Sequence, residues 1–251
     1  MYQKLKSALI SPIGTSPMVA SEIMDYILKV DETIRDVYLL HTTSDFVKKG
    51  TYACMSAIET RYAHIHAHLE EIEESDIFDD QSLVTYVSKL CKIIEEGRRK
   101  FGVGKFYLNA TGGRKVQSML LTLISSLVDN TVLFNIVNKD TQNFNVAYER
   151  IRDIIETFSL VNRNEVYSRH RNELDSVFFP RMDNIFVINV PTIPIPRDFK
   201  AKIRNCITGI DFEGGYVADY EIEAIRQAGL ITVDNHRTYS TPLGEALLGV
   251  I

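Results

Sequence analysis

The sequence predicts an α/β fold: a mainly parallel sheet followed by a small C-terminal winged-helix domain. Three observations predict it. Short apolar runs alternate with amphipathic helical stretches through the first half of the chain, the pattern of β–α units. Two of those runs end in glycine-containing loops that open helices. The segment after residue 196 breaks this rhythm and reads helix, helix, hairpin, helix. A length of 251 residues is enough for one large α/β domain, or a medium domain plus a small one.

The elements follow in order. Residues 7–10 form a first strand, and the loop Ser11-Pro-Ile-Gly-Thr-Ser-Pro17 follows it. Met18, Ile23, Tyr26 and Ile27 share a face at helical spacing, which predicts a helix over 18–30. Residues 37–40 are strand two, ending in the polar cluster His41-Thr-Thr-Ser-Asp45 before a helix over 47–61. Ile65, Ala67 and Leu69 alternate with polar residues, so 65–72 is a strand. The stretch 80–97 opens on acidic residues, as a helix dipole favours. A strand at 106–108, a glycine turn, a helix over 116–128 and a strand at 131–137 follow.

Residues 144–177 are rich in charge and predict one or two helices, set in an insertion of about 144–180 before a strand at 185–190. Three prolines then keep Pro191-Thr-Ile-Pro-Ile-Pro196 extended. The domain boundary falls there, giving domains 1–196 and 197–251. In the second, helices at 199–207 and 220–227 precede a hairpin turning at Asp234-Asn-His236. A last helix starts with Thr241 as N-cap and Pro242 at its first position.

Composition excludes several classes. The net charge of −5 gives no global field for nucleic acid, so an anionic ligand needs a local site. Cys54, Cys91 and Cys206 are far apart and lack metal-ligand spacing, which points to buried thiols in a reducing compartment. No apolar run reaches membrane-spanning length, and the N-terminus has no apolar signal segment. The expected location is cytoplasmic, without a membrane partner.

The most informative stretch is Lys105-Phe-Tyr-Leu-Asn-Ala-Thr-Gly-Gly-Arg-Lys115. Gly112 and Gly113 let the backbone turn tightly and approach a ligand. The next helix presents free N–H groups and its positive dipole end. Arg114 and Lys115 add fixed cations, and Asn109 and Thr111 add neutral polar groups. In the first loop, Ser11, Thr15 and Ser16 supply hydroxyls and Gly14 supplies close backbone approach. Thr42, in the polar cluster after strand two, joins this ligand-binding set. Alone, the first loop reads as an ordinary turn with an N-cap, and the second as a loop with solvated charges. Together, at the carboxyl ends of strands, they point to one shared anion, a phosphodiester. Neither is a nucleotide motif: Val116 follows Lys115 where an NTPase loop needs Ser or Thr, and no G-x-G-x-x-G is present. No cofactor is expected.

The pair of motifs resembles the two signature loops of CARF domains (CRISPR-associated Rossmann fold), over about residues 5–196. The resemblance implies a Rossmann-like sheet, a homodimer, and a cyclic oligoadenylate, most often the four-membered ring, held across the two-fold axis. It implies a metal-independent ring nuclease in which the ribose 2′-oxygen attacks phosphorus, leaving linear di-adenylate with a 2′,3′-cyclic phosphate. Lys115 and Ser11 stand at the motif positions used for catalysis: Lys115 to neutralise non-bridging oxygens, Ser11 to position phosphate or ribose. Gly14, Thr15, Ser16, Thr42, Asn109, Thr111, Gly112, Gly113 and Arg114 would bind the ring. The alternative is a cyclic-oligoadenylate-sensing transcription regulator that binds DNA through the winged helix. Residues 197–251 argue against that: six Lys or Arg stand against eight Asp or Glu, a balance of −2, so duplex DNA is disfavoured.

Other patterns carry less. His64, His66 and His68 share one strand face and read as solvent or interface histidines, not a zinc site. Glu70, Glu71, Glu73 and Glu74 read as a solvated run. Arg163 and His170 fit the loose Arg–His pattern of HEPN ribonucleases, but the insertion is too short for that bundle. Tyr148 and Tyr167 become candidates for stacking on adenine if the insertion covers the ligand site.

Overall fold

The computed structural model describes residues 5–73, 76–209, 217–235 and 237–251. Glu74 and His236 lie outside them. Six strands form one sheet: β1 (Lys6–Pro12), β2 (Ile34–Thr42), β3 (His66–Ile72), β4 (Val103–Asn109), β5 (Thr131–Asn138) and β6 (Ile185–Val190). Their spatial order is β3-β2-β1-β4-β5-β6. The first five run parallel and β6 is antiparallel to β5, so the sheet is Rossmann-like. The direction of winding reverses between β1 and β4, which are central neighbours. In such sheets the crevice outside the carboxyl ends of those two strands is the ligand site.

The central strands are buried on both faces, and successive side chains serve different layers. Leu9, Val37, Leu39, Tyr107 and Phe134 join one core. Ala8, Ile10, Tyr38, Phe106 and Leu108 join the other. The first core lies against α1 (Val19–Glu22), α2 (Met24–Val30) and α3 (Asp45–Arg61). The second lies against α4 (Asp80–Phe101) and α5 (Lys115–Leu127). The helix expected over 18–30 is broken at Ile23. Ser21 Oγ reaches the carbonyl oxygens of Met18 (2.9 Å) and Phe178 (2.6 Å), a back-bonding contact that bends helices.

The insertion holds three helices, α6 (Thr141–Glu156), α7 (Arg163–Arg169) and α8 (Arg171–Phe178), against the one or two expected. Ile151, Ile155, Phe158, Leu174 and Phe178 are buried in the first core, so the insertion is a structural layer against α3 and α1. It leaves and rejoins the sheet at the same end, because Asn138 pairs with Ile185. A return at that end makes β6 antiparallel.

The tail contains α9 (Arg197–Thr208), α10 (Asp219–Gln227), the antiparallel pair β7 (Ile231–Asp234) and β8 (Arg237–Ser240), and α11 (Pro242–Leu247). The expected element order is present. Thr241 Oγ1 accepts from Gly244 N at 3.1 Å and caps α11. The core runs on across residue 196: Ile203, Cys206, Ile225, Ile231 and Leu247 belong to the second core, and α11 packs on α4. Among the described residues, no helix is long and apolar enough to cross a membrane.

Candidate functional site

Loops 11–17 and 109–115 meet above the β1–β4 junction. Gly112 and Gly113 are required there by the neighbouring chain. A Cβ on Gly112 would stand 1.9 Å from the Pro12 carbonyl oxygen. Gly113 has φ of 74° and would bring a Cβ to 2.8 Å from Pro12 Cβ. Gly14 faces Gly113 backbone to backbone, with room for a Cβ at 3.4 Å. The glycines therefore first allow the two loops to touch, and only then allow a ligand near.

Asn109 pins the junction. It is fully buried; its Nδ2 donates to Ser11 Oγ (3.1 Å) and to the Val19 carbonyl (2.9 Å), and its Oδ1 accepts from Thr111 N (3.0 Å). Thr111 in turn accepts from Ile136 N at 2.6 Å and ties the loop to β5. Ser11 is also fully buried. Ser11 and Asn109 therefore hold each other inside the junction, a buried hydroxyl bonded by a buried amide, and fix how the two loops meet.

A cavity of about 560 Å³ opens where the loops converge. Its walls come from four connections: Ile13, Gly14 and Thr15 after β1; Thr42, Ser44 and Val47 after β2; Asp76 and Phe78 after β3; Gly113, Arg114 and Gln117 after β4. Gln117 Oε1 accepts from Arg114 N (2.8 Å) and fixes the start of α5. Arg114 Nε lies 3.3 Å from Asp76 Oδ2. Lys115, the first residue of α5, is exposed and has no ion pair with a described residue. Ser16 is exposed on the first loop. His41 lies buried behind Thr42; burial lowers its pKa, while its Nδ1 lies 3.0 Å from the Thr42 carbonyl oxygen.

The structure gathers Gly14, Thr15, Thr42, Gly113 and Arg114 around the cavity. Asp76, Phe78, Ser44 and Gln117 carry no motif. Their one legible signal is Phe78, an aromatic residue in an acidic run just before the helix-capping Asp79.

Several of the remaining candidates have structural partners. Arg163 bonds Glu59 Oε2 at 2.7 Å. Tyr167 is buried and donates to Asp175 Oδ1 (2.5 Å), so it cannot stack on a base. Tyr148 donates to the Thr15 carbonyl (2.6 Å) and braces the first loop from α6. His68 stacks on Tyr38 and lies 2.8 Å from Asp36. Glu70 pairs with Lys89 and Glu71 with Lys48. All three cysteines are free and buried.

Comparison with known proteins adds three likenesses. The family described as CRISPR-associated protein NE0113 matches residues 16–218. The CRISPR system ring nuclease SSO2081 of Saccharolobus solfataricus is 25% identical over 163 residues, 62% of this chain and 85% of that protein. Among solved structures, Enterococcus italicus Csm6 bound to cyclic hexa-2′-fluoro-hexa-dAMP is 16% identical, with a TM-score of 0.47 over 89% of this chain. The match spans about half of the Csm6 chain, 49%.

Proposed function

The chain belongs to the CRISPR-associated protein NE0113 family, and from that premise we propose that it is a CARF-type ring nuclease that cleaves cyclic tetra-adenylate without a metal. The observation that carries this reading is one cavity, at the switch point of the sheet, into which both glycine loops feed, with Arg114 in its wall and the exposed Lys115 next in the chain. Its likeness to a named ring nuclease supports the class of reaction.

In the proposed reaction the ribose 2′-oxygen attacks the adjacent phosphorus and loses its proton. The bond from phosphorus to the 5′-oxygen breaks, and that oxygen is protonated. The products are linear di-adenylates with 2′,3′-cyclic phosphate. Holding the three centres in line supplies much of the rate. Lys115 and the first-turn N–H groups of α5 stabilise charge on the non-bridging oxygens. Ser11 and Asn109 set the spacing of the loops.

The cavity has the size of a small-molecule site and takes part of a four-nucleotide ring. A second copy of the chain completes it. Met119 and Leu123, 70% and 39% exposed, follow Lys115 at successive turns of α5 and give that copy an apolar face. Residues 197–251 act as a winged-helix unit that packs on α4, consistent with their net negative charge. Free buried thiols fit a cytoplasmic setting.

The test is incubation with cyclic tetra-adenylate in EDTA, with products separated by chromatography. Di-adenylate bearing a cyclic phosphate is expected. Tight binding without turnover overturns the enzyme and leaves a sensor; salt-sensitive duplex binding at nanomolar protein would then favour the regulator.

A further inference from the structure

The β3–α4 connection adds to the cavity a wall that neither glycine loop supplies. Ile77 turns inward and packs against the second core, while Phe78 beside it is 69% exposed and lines the cavity. The backbone under this ring is fixed. Phe78 N and Asp79 N both donate to Ser82 Oγ at 3.1 Å, and Ser82 N donates to Asp79 Oδ1 at 2.8 Å. On the other side, Asp76 Oδ1 accepts from Ile77 N at 2.8 Å, leaving Oδ2 to face Arg114. An exposed ring on a pinned turn, facing hydroxyls, glycine backbone and a guanidinium, has no packing role of its own. It offers a π-face next to a phosphate-binding edge.

We propose that Phe78 is a nucleobase-stacking platform of this site, and that Asp76 holds Arg114 until a phosphodiester takes its guanidinium. The inference rests on the cyclic-adenylate reading above and adds the residues that grip a base. Stacking suits a ligand whose bases are splayed from a ring, because each base presents a free face. The Arg114–Asp76 pair is partly exposed, at 66% and 33% of the side chains, so it is weak and gives way readily. A phosphate replaces the carboxylate with equal charge and a geometry that suits the planar fork.

The chain has no tryptophan, so Phe78→Trp installs a single reporter at an exposed position. Cyclic tetra-adenylate in EDTA is expected to quench its fluorescence saturably, read in the first seconds after mixing. Calorimetry is expected to show roughly 5- to 100-fold weaker binding for Phe78→Ala and near-parental binding for Phe78→Tyr. Asp76→Asn is expected to tighten binding by up to about 5-fold. Parental binding by Phe78→Ala, or binding without quenching, overturns the platform; weaker binding by Asp76→Asn overturns its holding role. If the parent chain binds no cyclic adenylate, the functional reading fails by itself. Linear tetra-adenylate then decides the platform: quenching sustains it and no quenching overturns it.

Discussion

The two ends of the sheet use the same residue types in opposite ways. At the amino end Asp31, Asp129 and the cations around Asp129 all have partners. Asp31 accepts from Ser7 Oγ (2.6 Å), Thr33 N (2.9 Å) and Tyr107 Oη (2.9 Å); burial raises its pKa, but these bonds hold it well below the usual carboxylate range. A cavity of about 360 Å³ at that end is ringed by Arg98, Arg197, Lys200 and Arg204. Lys200 (2.7 Å) and Arg197 (3.3 Å) share the Asp129 carboxylate, Arg98 donates to its backbone oxygen, and Arg204 donates to the Ile251 carbonyl. Lys200 holds the Asp129 carboxyl below its ordinary value. At the carboxyl end Lys115 has no ion pair with a described residue, and Arg114 has one partly exposed partner. Cations that already spend their charge on the fold are mortar; cations left to water beside a cavity are available to a ligand.

The largest test of this contrast is Lys115→Ala. It is expected to lower ring turnover by roughly 100- to 1,000-fold, with the melting temperature unchanged, because an exposed side chain with no ion pair to a described residue contributes to charge stabilisation and not to folding. A shifted melt with parental turnover would erase the distinction between the ends. Gly112→Ala follows. A methyl 1.9 Å from the Pro12 oxygen forces the loops apart, so urea unfolding should show a loss of about 3 kcal/mol, with ligand binding lost as well.

Glu22, on α1 behind the first loop, sharpens the comparison from inside the carboxyl end. Burial pushes its carboxyl up to about 7, and its side chain has no hydrogen bond among the described residues. Between its ordinary 4.5 and about 7 the folded chain keeps a proton that the unfolded chain has lost, so stability falls as pH rises through that window and levels off above it. Glu22→Gln should flatten that slope and add up to roughly 3 kcal/mol at pH 8, measured by urea unfolding at pH 5 and 8. The smallest effect is Lys200→Ala at the amino end. It should cost about 1 kcal/mol of stability, discounted for the exposure of Asp129, and leave turnover intact. Lost turnover at parental stability would move function to the wrong end.

By itself the sequence determined the strands, the order of the tail elements and the two glycine loops. Those rest on local rules: a short apolar run at 185–190, which is β6 to the residue, and chain punctuation at Gly112, Pro191 and Thr241. It read Ser11 and Asn109 as site residues from their place in two loops at strand ends and from the family resemblance of those loops. Only the tertiary structure decided that they face each other inside the protein, since pairing across 98 positions of sequence is not a local property. The same holds for the antiparallel β6, whose direction follows from where three helices return the chain, and for Tyr167, whose partner is a helix away. Asp76 and Phe78 obey no motif. They reach the cavity because β3 lies beside β2 in a parallel sheet, and parallel packing carries all four strand ends to one edge.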